Sequence, residues 1–123
     1  MSSSIKSLLR KKSEYKIAGS LWIECDGERF FGPGRVELLQ RIDETGSIST
    51  AAKQMGMSYK KAWEMIDALN KQTATPFVIR QTGGEKGGGS VVTDEAKKLI
   101  AYHKLLRKRF AEFLSTESIR IQE

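Results

Sequence analysis

The stretch ISTAAKQMGMSYKKAWEMIDAL, running from Ile48 to Leu69, has the spacing that two short helices crossing near a right angle require. Ala51 and Ala52 sit side by side on the first of them. Ala52 is small where the two backbones approach, and Gly56, four residues on, can take the left-handed conformation that ends that helix sharply. Ser47 can cap the first helix and Ser58 the second, with Met57 filling the corner between them. In the second helix Ala62, Ile66 and Leu69 recur at i, i+4 and i+7, a buried stripe that leaves the opposite face to solvent. The pattern predicts helices over residues 47–55 and 58–71, joined as a helix-turn-helix.

Upstream, Val36, Leu38, Leu39 and Ile42 lie at helical spacing over residues 35–44, after a break at Gly32-Pro33-Gly34 and before Gly46, which ends the helix. Before that, Tyr15, Ile17, Gly19, Leu21, Ile23 and Cys25 alternate with more polar neighbours. The alternation predicts a strand over residues 15–25, turned by Asp26-Gly27 into a return strand over 28–31. Residues 1–14, rich in Ser and Lys, read as a flexible lead-in. Downstream, residues 77–80 read as a strand, GGEKGGG at 83–89 as a loop and 90–92 as its return, which together form a hairpin. Thr93 can cap a last helix, with Asp94 and Glu95 in its first turn complementing the helix dipole, reaching to about residue 114. The expected fold is α+β and mainly helical. It is a winged helix-turn-helix over 15–92 with an N-terminal β-hairpin and a glycine-rich wing, followed by a long C-terminal association helix and tail over 93–123.

A chain of 123 residues has room for one domain with a genuine core. No apolar run approaches the roughly 20 residues of a membrane span, and the polar N-terminus lacks the apolar centre of a secretory signal, so a cytoplasmic location is expected. Cys25 is the one cysteine and has no neighbouring ligand at metal spacing, so neither an internal disulfide nor a metal or other cofactor is expected. No carboxylate pair or nucleophile-base set appears at a usable spacing, which argues against an enzyme. The formal net charge of +6 favours a polyanionic partner, and the helix pair makes double-stranded DNA the expected one.

On the second helix of the pair the outward face begins with Tyr59, Lys60 and Lys61 and continues through Trp63, at the end that usually enters the major groove. The lysines can donate to guanine edges or phosphates, and Tyr59 offers a hydroxyl. Trp63 reads equally as core or as contact. The glycine-rich loop ends in no Lys-Ser or Lys-Thr and opens no helix, so it fails the pattern of a nucleotide phosphate loop. As the tip of a wing it would bring Arg80 and Lys86 to phosphates or the minor groove. Along the last helix Leu99, His103, Leu106, Phe110 and Phe113 follow alternating spacings of four and three. Two copies packed antiparallel along that stripe would form a homodimer; alternatively the stripe folds back over its own core. His103 is read as a packing or hydrogen-bonding residue.

These residues carry a family resemblance. The strings LWIECDG from Leu21, GPGRVELL from Gly32, IDETGSIS from Ile42, GMSYKKAW from Gly56 and TGGEKGGG from Thr82 resemble the N-terminal DNA-binding domain of the molybdate-responsive, ModE-type transcriptional regulators, over about residues 21–106. The helix-turn-helix is also similar to that of LysR-type regulators. The resemblance implies a winged-helix dimer with residues 58–71 in the major groove, Ser49, Ser58, Tyr59, Lys60, Lys61 and Trp63 in the DNA-facing motif, and Arg80 and Lys86 in the wing. ModE-type regulators usually continue into oxyanion-binding domains that bind molybdate or tungstate. This sequence ends at Glu123 without a counterpart of a molybdate-binding domain, so molybdate sensing is not expected of it. The rival expectation is a winged-helix module used for architecture or protein interaction, without sequence-specific DNA recognition.

Overall fold

The computed structural model describes residues 5–81 and 89–123, so the glycine-rich tip, with Lys86, lies outside the described residues. The elements run β1 (Ile23–Cys25), β2 (Glu28–Phe31), α1 (Pro33–Thr45), α2 (Ile48–Gln54), α3 (Tyr59–Gln72), β3 (Val78–Gln81), β4 (Gly89–Val92) and α4 (Asp94–Arg120). Two antiparallel two-stranded sheets and these helices make the winged helix-turn-helix that the sequence predicts. The chain divides into two compact units, Trp22–Tyr102 and the paired segments Met1–Leu21 and His103–Glu123.

In the first unit the helix ends are set by local chemistry. Pro33 opens α1 at a position where its missing N–H costs nothing, so Gly32-Pro33-Gly34 starts the helix earlier than a chain break would allow. Gly46 closes α1 at φ 69°, donating its N–H to the Ile42 carbonyl at 2.7 Å. The Ser47 hydroxyl accepts from the Thr50 amide to start α2, and the Ser58 hydroxyl accepts from the Lys61 amide to start α3, each at 3.0 Å. Between them Gly56 sits at φ 67°. The Met57 amide reaches back to the Ala52 carbonyl at 3.0 Å and the Gly56 amide to Lys53 at 3.1 Å, a complete Schellman stop. The sharp corner of the motif is thus written in three residues.

The core of this unit gathers Leu38, Leu39 and Ile42 from α1, Ala51 and Ala52 from α2, and Ala62, Ile66 and Leu69 from α3, all 0–1% exposed. Phe31 from β2 and Phe77 ahead of β3 meet edge to face at 6.1 Å and close one end. Arg35 ties β2 to the helices by donating to the Phe30 carbonyl at 2.6 Å and to Gln72 Oε1 at 2.7 Å. The β1–β2 turn places Asp26 and Gly27 at φ 52° and 81°, the paired positive values that a tight hairpin needs.

The predicted strand over 15–25 shortens to Ile23–Cys25. Its partner offers only Glu28–Phe31, too little ladder for eleven residues. In the second unit residues 15–21 instead run beside the C-terminal part of α4. The Ser118 hydroxyl accepts from the Ile17 amide at 2.8 Å, and the Gln122 side chain donates to the Tyr15 carbonyl at 2.9 Å. Gly19 is small because Phe110 lies over it: a Cβ there would come within 3.2 Å of the ring. The period-two alternation was real, but the surface it faces is a helix. The same docking accompanies the extension of α4 to Arg120, beyond the expected residue 114.

His103 is 1% exposed, and burial, followed by the nearby Arg107 cation, lowers its pKa from the ordinary 6.5. The unfolded chain therefore binds a proton near pH 6.5 that the folded chain refuses until lower pH. The His103 contribution to stability should be constant above that value and decline on acidification through the window below it, by at most about 1.4 kcal/mol per pH unit. Urea unfolding of the wild type and of His103→Gln at a series of pH values checks this: the variant should lack the component of the slope that His103 contributes.

Candidate nucleic-acid interface

The leading turn of α3 is exposed because its buried stripe begins only at Ala62. Tyr59 is 49% exposed, and Lys60 and Lys61 are exposed beside it. Among the described residues no ion pair engages either lysine. Farther along α3, by contrast, Lys71 meets Asp67 at 2.8 Å, a hydrogen bond and charge pairing that raise the lysine pKa. The two cations at the front of the helix are therefore available to an outside anion. Ser58 is also exposed, but its hydroxyl already serves as the helix cap.

A cleft of about 310 Å3 opens between the start of α2, the start of α3 and the base of the wing, lined among others by Ser47, Ser49, Tyr59, Trp63, Arg80 and Ser90. The structure thus brings Ser49, Tyr59, Trp63 and Arg80 together, while Lys60 and Lys61 lie on the adjoining helix surface outside the lining. Trp63 combines the two roles the sequence left open: one part packs on the core and its ring carries Arg80. The guanidinium lies 4.4 Å from the ring centroid, a cation–π arrangement, and its Nη2 donates to the Tyr59 hydroxyl at 3.4 Å. Tyr59 in turn meets Trp63 edge to face at 6.2 Å. This stack links the first strand of the wing to the reading helix. In a double-mutant cycle of Trp63→Leu and Arg80→Ala, urea unfolding should reveal a coupling of about 0.5–1 kcal/mol, the range for an exposed cation–π pair. Strict additivity would mean that the stack contributes nothing in solution.

Three contacts that sequence reasoning did not single out fix the base of the wing. Asn70 of α3 accepts from the Phe77 amide at 2.8 Å and from the Val78 amide at 3.3 Å, and donates to the Val78 carbonyl at 3.1 Å, satisfying the start of β3. The Thr93 amide donates to the Phe77 carbonyl at 2.9 Å while its hydroxyl donates to that of Pro76. On the other side the Ser90 amide donates to the Gly46 carbonyl at 3.0 Å. A Cβ on Gly89 would stand 3.1 Å from that same oxygen, so β4 approaches the α1–α2 turn closely at a residue without a side chain. The glycine was legible as part of a flexible loop, but its partner eleven residues before α3 was not.

Of the residues expected to face a second copy, Leu99 packs partly on the core and His103 is buried within its own chain. Leu106 and Phe110 are half-buried and Phe113 is 56% exposed. Tyr102 and Leu105 are exposed apolar residues on the same helix. No helix among the described residues is long and apolar enough to cross a membrane.

Residues 34–97 match the family of bacterial regulatory helix-turn-helix proteins of lysR type, a span that contains α1 to β4 with the whole cleft. The chain is 42% identical over 101 residues to the molybdenum-pterin-binding protein MopB of Rhodobacter capsulatus, covering 82% of this chain and 37% of that protein. It is 41% identical to the transcriptional regulator ModE of Haemophilus influenzae over 88 residues, covering 72% of this chain and 34% of the relative. It is also 41% identical to the DNA-binding transcriptional dual regulator ModE of Escherichia coli K12 over 86 residues, covering 70% and 33%. The chain thus spans about a third of the length of the curated relatives it matches. With its caps, corner and wing all within the matched span, the chain belongs to the lysR family of bacterial regulatory helix-turn-helix proteins.

Proposed function

We propose that this chain is a sequence-specific, double-stranded DNA-binding transcriptional regulator of ModE type, with α3 in the major groove and the β3–β4 wing beside it. The observation that carries this reading is the exposed Tyr59-Lys60-Lys61 turn at the front of α3, adjoining the cleft in which Arg80 is held. A helix entering the major groove by its N-terminal end puts those side chains at base edges, while Ser49 and Arg80 meet the flanking backbone. Phosphate contacts there fix register, and the lysines specify sequence. Lys86 belongs to the same proposal as a wing contact. The relatives named ModE support it, and molybdate sensing is not assigned to this chain.

The protein acts as a homodimer on a two-fold operator, associating through the stripe from Leu99 to Phe113; the exposed Phe113, Leu105 and Tyr102 support a helix surface that takes a partner. Selection of bound sequences from a random duplex pool tests recognition: a preferred sequence with two-fold symmetry is expected. Enrichment of no sequence would leave the fold without the reading role given to α3. Sedimentation equilibrium tests the dimer, and a monomer that stays a monomer when duplex is added would remove it.

A further inference from the structure

The six-charge excess of the chain is unevenly placed. In the Trp22–Tyr102 unit, which carries the whole winged helix, eleven lysines and arginines are balanced by eleven aspartates and glutamates. The Met1–Leu21 and His103–Glu123 unit has ten against four, and so holds the entire excess. A reading domain of zero net charge gains little from the sequence-independent attraction to phosphates that underlies DNA affinity. That attraction has to come from the other unit.

Within that unit the cations converge. Lys6, Arg10 and Lys11 line a groove of about 110 Å3 with Ser13, Tyr15 and Gln122, and no carboxylate lines it. All three cations are exposed, and none joins an ion pair among the described residues. The surrounding hydrogen bonds use other groups. The Arg10 amide donates to the Tyr15 hydroxyl at 3.1 Å, and Gln122 donates to the Tyr15 carbonyl at 2.9 Å. The guanidinium and both ammonium groups are left to an external anion.

We propose that this unit is a second, sequence-independent contact for duplex DNA, in which Lys6, Arg10 and Lys11 seat a backbone phosphate outside the bases read by α3. The proposal rests on the DNA-binding reading for its partner, but it makes a separate demand: affinity without sequence preference resides in residues that are remote in sequence from the helix-turn-helix. It also assigns different work to the two lysine sets, with Lys60 and Lys61 choosing the site and Lys6, Arg10 and Lys11 strengthening attachment anywhere.

The test measures fluorescence anisotropy of a labelled random-sequence duplex across a salt series, for the full-length wild type, for Lys6→Gln/Arg10→Gln/Lys11→Gln, and for the charge-keeping Lys6→Arg/Lys11→Arg. Circular dichroism melting establishes that each is folded. The expected result is a log–log salt slope shallower by about 2–3 in the neutral variant, from about 0.9 per lost phosphate contact, with the arginine variant like the wild type. An unchanged slope in a folded neutral variant overturns the proposal. So does a loss seen with phosphatidylserine-containing vesicles and not with duplex, which would make the groove a lipid contact. The random-pool selection separates the two readings. A wild type with the expected slope change but no preferred sequence keeps this proposal and removes the role given to α3, whereas a preferred sequence with an unchanged slope does the reverse. A wild type that binds no duplex at any salt overturns both.

Discussion

Lys60→Ala/Lys61→Ala is expected to weaken binding to the preferred duplex by about 2–6 kcal/mol, since each lost direct contact at a base edge or phosphate costs roughly 1–3 kcal/mol. Both side chains are exposed and outside every ion pair among the described residues, so nothing in the folded protein depends on them. The thermal transition should therefore stay where it is. If the two lysines read bases, preference should relax at particular positions of the site; if they meet only phosphates, binding should weaken alike on all sequences and the salt slope should fall by about 2. Anisotropy on preferred and scrambled duplexes distinguishes these cases. A double variant that binds both as the wild type does would mean that this face of α3 points away from DNA.

Ile66→Ala should give the opposite pattern. Ile66 is one turn farther on the same helix, fully buried between Ala62 and Leu69 on the inward stripe. Removing its outer atoms forfeits their transfer from water and leaves a hole that close-packed neighbours fill only in part, at a cost of about 2–5 kcal/mol. Against the 5–15 kcal/mol typical of a whole domain, this is a large share. Urea denaturation should show a lower midpoint, while affinity per folded molecule, measured well below the transition, stays close to that of the wild type. A variant as stable as the wild type would mean that the stripe packs more loosely than its exposure indicates.

What the sequence made legible was the part governed by contacts within a few residues. Ser47, Gly56 and Ser58 act on their own helix ends, so their meaning could be read without knowing what lay across the core, and the stripe of Ala62, Ile66 and Leu69 needed only the helical period. Residues 15–21 were different. Alternation records that one side of an extended segment is covered, and the cover, here Phe110 and Ser118, is about a hundred residues away along the chain. Trp63 was ambiguous for a related reason, because a ring half on the core and half under a guanidinium has the same spacing as either alternative. Asn70 gave no signal at all: its role depends on where Phe77 and Val78 return after the turn, which no local pattern states.

The bond from the Ser90 amide to the Gly46 carbonyl joins main chain to main chain, and the hold of Asn70 on Phe77 and Val78 likewise ends on backbone atoms. No side chain of residues 82–88 takes part in either. The two strand ends therefore form a socket whose grip is indifferent to the sequence it carries, provided that Gly89 stays glycine and position 90 keeps its N–H. Tips of other composition could be exchanged there like bits in a chuck, retuning what the wing touches while the reading helix and its core go unaltered.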